Sequence, residues 1–203
     1  MSRTVKHNTN NQQIRIIGGD WRGRKLSFPD FPGLRPSSDR VRETLFNWLA
    51  PYIPGSRCLD LFAGSGALGL EAASRGAKQV LLVDDAPQVA AALEQNIALL
   101  NAEGRVSVAC KKAEHFVRSG LHEPFDIIFL DPPFAHNALL QLSHELVEHH
   151  LTQHNTRIYI ESEVHSDTPA LPESWSTLKM KTTRQVRYQL AIQESLLANE
   201  IDP

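Results

Sequence analysis

The chain has 203 residues, 41% hydrophobic and 22% charged, which is the composition of one globular domain with room for a short arm. No apolar run nears the ~18 residues of a membrane span and no secretory segment follows Met1. Cys58 and Cys110 stand far apart, which excludes a disulfide framework or a cysteine zinc site and makes a cytoplasmic monomer with reduced thiols the expectation. The net charge of −2 hides an asymmetry: residues 1–50 hold nine Lys+Arg and four Asp+Glu (+5), residues 51–203 twelve and nineteen (−7). An arginine-bearing end on an acidic body suits an anionic partner such as nucleic acid, with a solvated arm as the alternative.

Residues 1–13 are polar and rich in Asn and Gln and read as a flexible tail. Residues 14–36 read as short extended pieces broken by Gly18-Gly19, Gly23, Pro29, Pro32 and Pro36. Ser37 or Ser38 can cap a helix to about Ala50, with Val41, Leu45, Trp48 and Leu49 at helical spacing and Arg40 and Arg42 projecting from its first turns. Residues 14–51 thus form a basic arm and helix, and 52–203 the main domain. From Arg57 strands and helices alternate. Strands are expected at Cys58–Phe62, Gln79–Asp84, Arg105–Ala109, Phe125–Leu130 and Thr156–Ile160. Helices are expected at Gly66–Ser74, Pro87–Asn101, Ala113–Arg118 and 137–151. Two alternating strands, Trp175–Met180 and Gln185–Gln193, close the chain. Repeated strand–helix units predict an α/β fold, a mostly parallel sheet with helices on both faces, extended by a C-terminal antiparallel hairpin. Ligands of such sheets sit beyond the carboxyl ends of the strands.

The first strand end carries Asp60-Leu-Phe-Ala-Gly64-Ser-Gly66-Ala-Leu-Gly69, a glycine-rich turn that matches G-x-G-x-x-G and lacks the Lys-Ser/Thr of a phosphate-binding P-loop. Asp84 lies 20 residues beyond Gly64, where a ribose-binding acid belongs. A dinucleotide or S-adenosylmethionine would fit, against a plain tight turn. Asp60 would meet a pyrophosphate unfavourably and would suit an ammonium, which favours S-adenosylmethionine. The fourth strand ends in Asp131-Pro132-Pro133-Phe134. Two prolines stiffen the turn. They hold the Asp131 carboxylate and the Pro132 carbonyl as paired acceptors for an NH2 group, beside an aromatic face for a planar base.

The two motifs together resemble the class I S-adenosylmethionine-dependent methyltransferases that act on exocyclic amino nitrogens. Arg15-Ile-Ile-Gly-Gly19, Arg22-Gly-Arg24, Arg35-Pro-Ser-Ser-Asp39-Arg-Val-Arg-Glu43 and Leu45-Phe-Asn47 narrow the resemblance to the RsmD-type enzymes, bacterial 16S ribosomal RNA guanine-N2 methyltransferases. It covers about residues 12–193 and implies a Rossmann-like fold. It also implies that Asp60, Phe62, Ala63, Gly64, Ser65 and Gly66 line the methionine end of the cofactor. Asp84 would bind the ribose, with Asp85 able to share the role. The target base would be held by Asp131, Pro132, Pro133 and Phe134. Where many relatives place an acid near adenine after the third strand, this chain has Lys112, so that contact falls to the backbone at Ala113. The product would be S-adenosylhomocysteine, with no metal.

In this reading the guanine N2 is a weak nucleophile whose lone pair Asp131 and Pro132 help to free, and positioning supplies much of the rate. The base must be extruded to be reached. Arg15, Arg22, Arg24, Arg35, Arg40 and Arg42 would grip phosphates without reading sequence, on RNA in the assembling or assembled small ribosomal subunit. An amino methyltransferase for adenine in DNA or for protein glutamine is the first rival. A nicotinamide-dependent oxidoreductase is the second, and an RNA-binding module without activity the third. His144-Glu-Leu-Val-Glu148 lacks the second histidine of a zinc site, and His149, His150 and His154 read as a solvated helix end. Glu161 and Glu163, ending the fifth strand near the expected site, read as solvent-facing, with contact to substrate as the alternative. Trp21 and Trp48 read as packing the arm onto the sheet, with stacking on RNA as the alternative.

Overall fold

The computed structural model describes residues 11–30, 38–120, 122–132, 136–165 and 169–195. A hairpin of β1 (Asn11–Arg15) and β2 (Lys25–Pro29) leads into α1 (Asp39–Leu49). Alternating units follow: β3 (Arg57–Asp60), α2 (Gly69–Ser74), β4 (Gln79–Asp84), α3 (Pro87–Leu100), β5 (Val106–Cys110), α4 (Ala113–Arg118), β6 (Ile127–Leu130), α5 (His136–Glu148) and β7 (Arg157–Glu163). A second hairpin, β8 (Trp175–Thr182) and β9 (Val186–Gln193), ends the described chain. Seven strands form one sheet in the order β5-β4-β3-β6-β7-β9-β8. The five from β3 to β7 are parallel and the last two antiparallel, as the alternating sequence pattern predicts.

The buried strands read as continuous apolar runs because both faces are covered. One face of the sheet packs against the first hairpin, α1, α2 and α3, and the other against α4 and α5. Local chemistry sets the ends of the helices. Ser38 accepts from the Val41 amide at 3.4 Å at the start of α1, Pro87 opens α3, and Asn101 closes α3 in the left-handed conformation. Among the described residues no helix is long and apolar enough to cross a membrane.

Several element bounds differ from the sequence expectation for physical reasons. β1 begins at Asn11, inside the stretch read as tail, because its amides pair with β2; residues 1–10 lie outside the described residues. β3 stops at Asp60 and α2 starts only at Gly69, since the loop between them turns through Gly64 (φ 48°) and Gly66 (φ 77°). β7 runs on to Glu163 because β9 pairs with it over its whole length.

The basic segment is no loose arm. Ile14, Ile16, Trp21, Leu26 and Phe28 of the hairpin and Val41, Leu45, Phe46 and Leu49 of α1 share one core with the sheet. The joint is electrostatic as well as apolar. Glu71 of α2 is fully buried. Its Oε2 accepts from the Ile17 amide at 2.7 Å, and its Oε1 from the Gly18 amide at 2.8 Å and from Arg75 Nε at 2.6 Å. Arg42 lies 3.7 Å from it. One turn on, Ser74 Oγ donates to the Gly18 carbonyl at 2.6 Å and accepts from the Trp21 amide at 3.0 Å. The approach is so close that a Cβ at Gly19 would stand 1.8 Å from the Ser74 carbonyl oxygen.

Arg42 corrects the sequence reading. Together with Val41, Leu45, Phe46 and Leu49 it forms the buried face of α1, and it is 1% exposed. It donates to the Arg15 carbonyl at 3.0 Å and to Asp39 at 2.6 Å. It latches the hairpin to α1 instead of projecting into solvent.

Removing Glu71 would leave buried Arg42 with only the exposed Asp39 as counter-charge among the described residues and would free the Ile17 and Gly18 amides. Glu71→Ala is expected to lower stability by about 3–5 kcal/mol, read by urea unfolding. A loss under about 1 kcal/mol would show that the cluster contributes no more than a surface pair.

Candidate functional site

The sequence places its acids and glycines at the carboxyl ends of adjacent strands, and the fold brings them together. Asp60 ends β3 and is buried. Its Oδ2 accepts from the Gly69 amide at 3.0 Å, which pins the glycine loop across its base. Its Oδ1 is buried and has no hydrogen-bond partner among the described residues. Burial pushes the carboxyl up to about 7, against the amides of Gly69 and Phe62 and with a smaller push from Asp84. A buried acceptor left over in this way has the chemistry of a site awaiting a donor, and an ammonium group supplies both proton and charge.

The loop is shaped from both sides. Ala63 donates to the Val83 carbonyl at 2.9 Å, and Gly66 to the Ala63 carbonyl at 2.7 Å. Gly66 has a left-handed φ of 77°, and a Cβ there would stand 2.7 Å from both Leu70 and Leu93, so any other residue would be strained and would displace both leucines. Ala63 and Ser65 are buried, and Phe62 packs partly buried against the α4–α5 side.

Asp84 ends β4 and braces the same loop. Its Oδ2 accepts from the Gly64 amide at 2.9 Å and its Oδ1 from the Ala86 amide at 3.0 Å. Burial raises its pKa, the amides of Ala86 and Gly64 oppose the rise, and Asp85 adds to it. Each oxygen keeps a second lone pair, so the carboxylate can still accept from hydroxyl donors. Asp85 is exposed, Ala113 is buried at the first turn of α4, and Lys112 before it is exposed. Asp60 and the glycine loop, Asp84, and Lys112-Ala113 thus follow the carboxyl ends of the adjacent parallel strands β3, β4 and β5, the edge of such a sheet where ligands bind.

Asp131 and Pro132 follow β6, half-buried; Pro133 and Phe134 lie outside the described residues. β6 pairs directly with β3, with Phe129 opposite Asp60, so Asp131 stands on the strand next to that of Asp60. Glu161 stands on its other side, with Tyr159, which the sequence reading passed over. Leu130 pairs with Ile160, which sets Glu161 one residue on, beside Asp131. Buried Tyr159 donates its hydroxyl to Glu161 at 2.6 Å, so Glu161 is part of this strand end rather than a plain solvent-facing acid. Burial first, then Glu161 and Asp131, hold the Tyr159 hydroxyl protonated well above its ordinary range. The signal available in sequence was position alone: Glu161 follows the fifth strand as Asp131 follows the fourth.

The candidate phosphate-binding arginines divide. Arg15, Arg22, Arg24 and Arg40 are exposed, with Arg24 donating to the Leu99 carbonyl at 2.9 Å. Arg35 lies outside the described residues, and Arg42 is buried as described. Arg15 and Lys25, paired across the hairpin, line a cleft with Gln13, Ser38 and Asp39. Trp21 is buried beneath the Arg105 guanidinium, 4.9 Å from the ring centre.

A family model described as "Conserved hypothetical protein 95" matches residues 14–192. The ribosomal RNA small subunit methyltransferase D of Escherichia coli K12 is 46% identical over 190 residues, covering 94% of this chain and 95% of that protein. The protein of the same name from Haemophilus influenzae is 46% identical over 181 residues, covering 88% and 93%. A solved candidate methyltransferase from Escherichia coli superposes with a TM-score of 0.83 at 45% identity, covering 90% of this chain and 99% of that one.

The raised pKa of Asp60 has a sign that can be tested. In the unfolded chain the group ionises near 4, whereas in the fold it keeps its proton to about 7. Its contribution to stability is therefore full below about 4 and lost as pH rises through 7. Asp60→Asn is expected to gain stability relative to the natural protein across that window, read by urea unfolding of ligand-free protein at pH 5 to 8. A pH-independent difference would refute the shift.

Proposed function

The chain belongs to the Conserved hypothetical protein 95 family, that of the small-subunit ribosomal RNA methyltransferase D, and on that premise we propose that it methylates the exocyclic N2 of a specific guanine in 16S ribosomal RNA. The methyl donor is S-adenosylmethionine and the substrate is RNA within the small subunit. The observation that carries the reading is the adjacency of the two strand ends: the Asp60 crevice and the Asp131 turn sit on hydrogen-bonded neighbours β3 and β6. A cofactor pocket and a base pocket with that spacing bring donor and acceptor together.

S-adenosylmethionine, when bound, supplies an electrophilic methyl on a sulfonium centre. Asp60 would hold the ammonium of its methionine end through the unpartnered Oδ1, and that ion pair would return the acid to its charged form. Gly64 and Gly66 give the loop the backbone path that lets a ligand approach closely. Asp84 would accept from the ribose hydroxyls with the lone pairs its two amide bonds leave over, beside exposed Asp85. Ala113 would meet the adenine through its backbone.

Asp131 and the Pro132 carbonyl would accept the two N–H bonds of guanine N2 and hold the amino group toward the methyl. The acceptors draw the lone pair out of conjugation, and Asp131 takes the N2 proton, which turns acidic only as the new C–N bond forms. Phe134 would stack on the extruded base. Arg15, Arg22, Arg24, Arg35 and Arg40 would hold the RNA backbone around it. The rival readings as a DNA-adenine or protein-glutamine methyltransferase, or as a nicotinamide-dependent oxidoreductase, find no support in the named relatives.

The direct test is transfer of labelled methyl to small subunits, free small-subunit RNA and duplex DNA, with nucleoside analysis. Label is expected as N2-methylguanine; label only in DNA or on another RNA atom would refute the reading. Asp131→Ala is expected to reduce methyl transfer by about 100-fold or more with cofactor affinity unchanged, and parallel loss of both would reassign Asp131 to the cofactor pocket. Arg22→Ala and Arg40→Ala are each expected to lower RNA affinity and reduce its salt slope by about 0.7–0.9, whereas Arg42→Ala lowers stability.

A further inference from the structure

The C-terminal hairpin carries a feature that neither the cofactor crevice nor the N-terminal arginines account for. β8 is the last strand of the sheet, and residues 177–182 along it are exposed. An edge strand needs only enough polar side chains to resist pairing. Here two lysines stand over an aromatic pair. Trp48 of α1 and Tyr188 of β9 stack with ring centres 5.5 Å apart and planes inclined by 28°. Lys179 Nζ and Lys181 Nζ each lie 5.9 Å from the Trp48 ring centre. Among the described residues neither lysine is in an ion pair.

The register connects this patch to the target turn. Lys181 pairs with Tyr188, and Tyr188 with Glu161. Glu161 is the residue after Ile160, which pairs with Leu130, the residue before Asp131. One cross-strand row therefore runs Asp131, Glu161, Tyr188, Lys181. With strands about 4.8 Å apart the row is about 14–15 Å long. That is roughly the rise of four stacked nucleotides of one strand, at ~3.4 Å each. Lys179, paired with Leu190, shares the face because successive side chains alternate. The N-terminal arginines and this row are separate: the first belong to the β1–β2 hairpin and the start of α1, the second to the end of α1 and to β8 and β9.

We propose that Lys179 and Lys181, on the Trp48–Tyr188 platform, form a second phosphate-binding surface for the RNA strand that leads away from the target nucleotide. The proposal rests on the reading of the substrate as RNA. Charge complementarity and continuity with the Asp131 row select RNA over a second copy of this chain, whose edge strand would present the same lysines and repel. The Trp48 ring, 5.9 Å from each ammonium, would orient both lysines by cation–π attraction. The lysines bind phosphate and take no part in the chemistry.

The test is binding of a small-subunit RNA fragment by fluorescence anisotropy across a salt series, for the natural protein, Lys179→Gln/Lys181→Gln and Lys179→Arg/Lys181→Arg. Methyl transfer, cofactor affinity and sedimentation are measured in parallel. The glutamine pair is expected to weaken RNA binding about tenfold and to reduce the salt slope by about 1.4–1.8. KM for RNA should rise, with kcat and cofactor affinity unchanged, and the arginine pair should behave as the natural protein. Unchanged affinity and slope in the glutamine pair, with methyl transfer to RNA intact, would overturn the proposal and leave the function standing. So would self-association of the glutamine pair with normal RNA affinity, which would make the lysines guards of the sheet edge. RNA binding that depends on the lysines in a protein that transfers no methyl to RNA would uphold the surface and overturn the function.

Discussion

Glu71 is the carboxylate on which the two halves of this chain are hung. It projects from α2, the helix that the cofactor loop feeds directly, and it accepts the amides of Ile17 and Gly18 from the N-terminal hairpin. Arg75 and Arg42 close around it. The two amide donors and the Arg75 guanidinium fix the orientation of this buried acid, and that orientation sets the hairpin against α2. Ser74 repeats the attachment one turn later. The basic surface that would meet RNA and the loop that would meet the cofactor are therefore both anchored on α2. A shift of the hairpin would disturb the helix whose first amide, that of Gly69, holds Asp60.

From that joint outward the site is a set of carboxylates each with a different task, assigned by surroundings rather than by residue type. Glu71 is consumed by structure. Asp84 divides itself, its oxygens taking the Gly64 and Ala86 amides while keeping lone pairs for a ligand. Asp60 is desolvated and left with one oxygen unanswered, which makes it the most sensitive of the four to a bound cation. Asp131 is half-buried at the end of the next strand, where the acid can accept from a base without competing for the cofactor. Burial decides between these roles more than chemistry does, since the four groups are all carboxylates.

Arginine shows the same sorting. Composition alone marks the first fifty residues as an anion-binding segment, and Arg15, Arg22, Arg24 and Arg40 do stand at the surface. Arg42 has the same charge and a neighbouring position, yet it faces the core, because it falls on the stripe of α1 occupied by Val41, Leu45, Phe46 and Leu49. Charge counting cannot separate a guanidinium that reaches out from one that satisfies a buried glutamate 29 positions away. The helical spacing held the clue, read too strictly as apolar.

Period and punctuation in the sequence determined the alternating strands and helices, the C-terminal hairpin, the glycine loop and the acids at three strand ends, because local hydrophobic pattern and turn chemistry are written in neighbouring residues. The proposed cofactor loop and base turn could be picked out for the same reason: each is one short motif at a place the parallel-sheet rule singles out. Only the tertiary structure decided that β3 lies between β4 and β6, so that Asp60 comes to stand beside the Asp131 turn. It alone decided that Glu71 and Arg42 are internal, and that Glu161, Tyr188 and Lys181 fall in one cross-strand row beside Asp131. Those relations join residues far apart in the chain through strand order, register and burial, and nothing in the flanking sequence of any one of them encodes which distant partner it will meet.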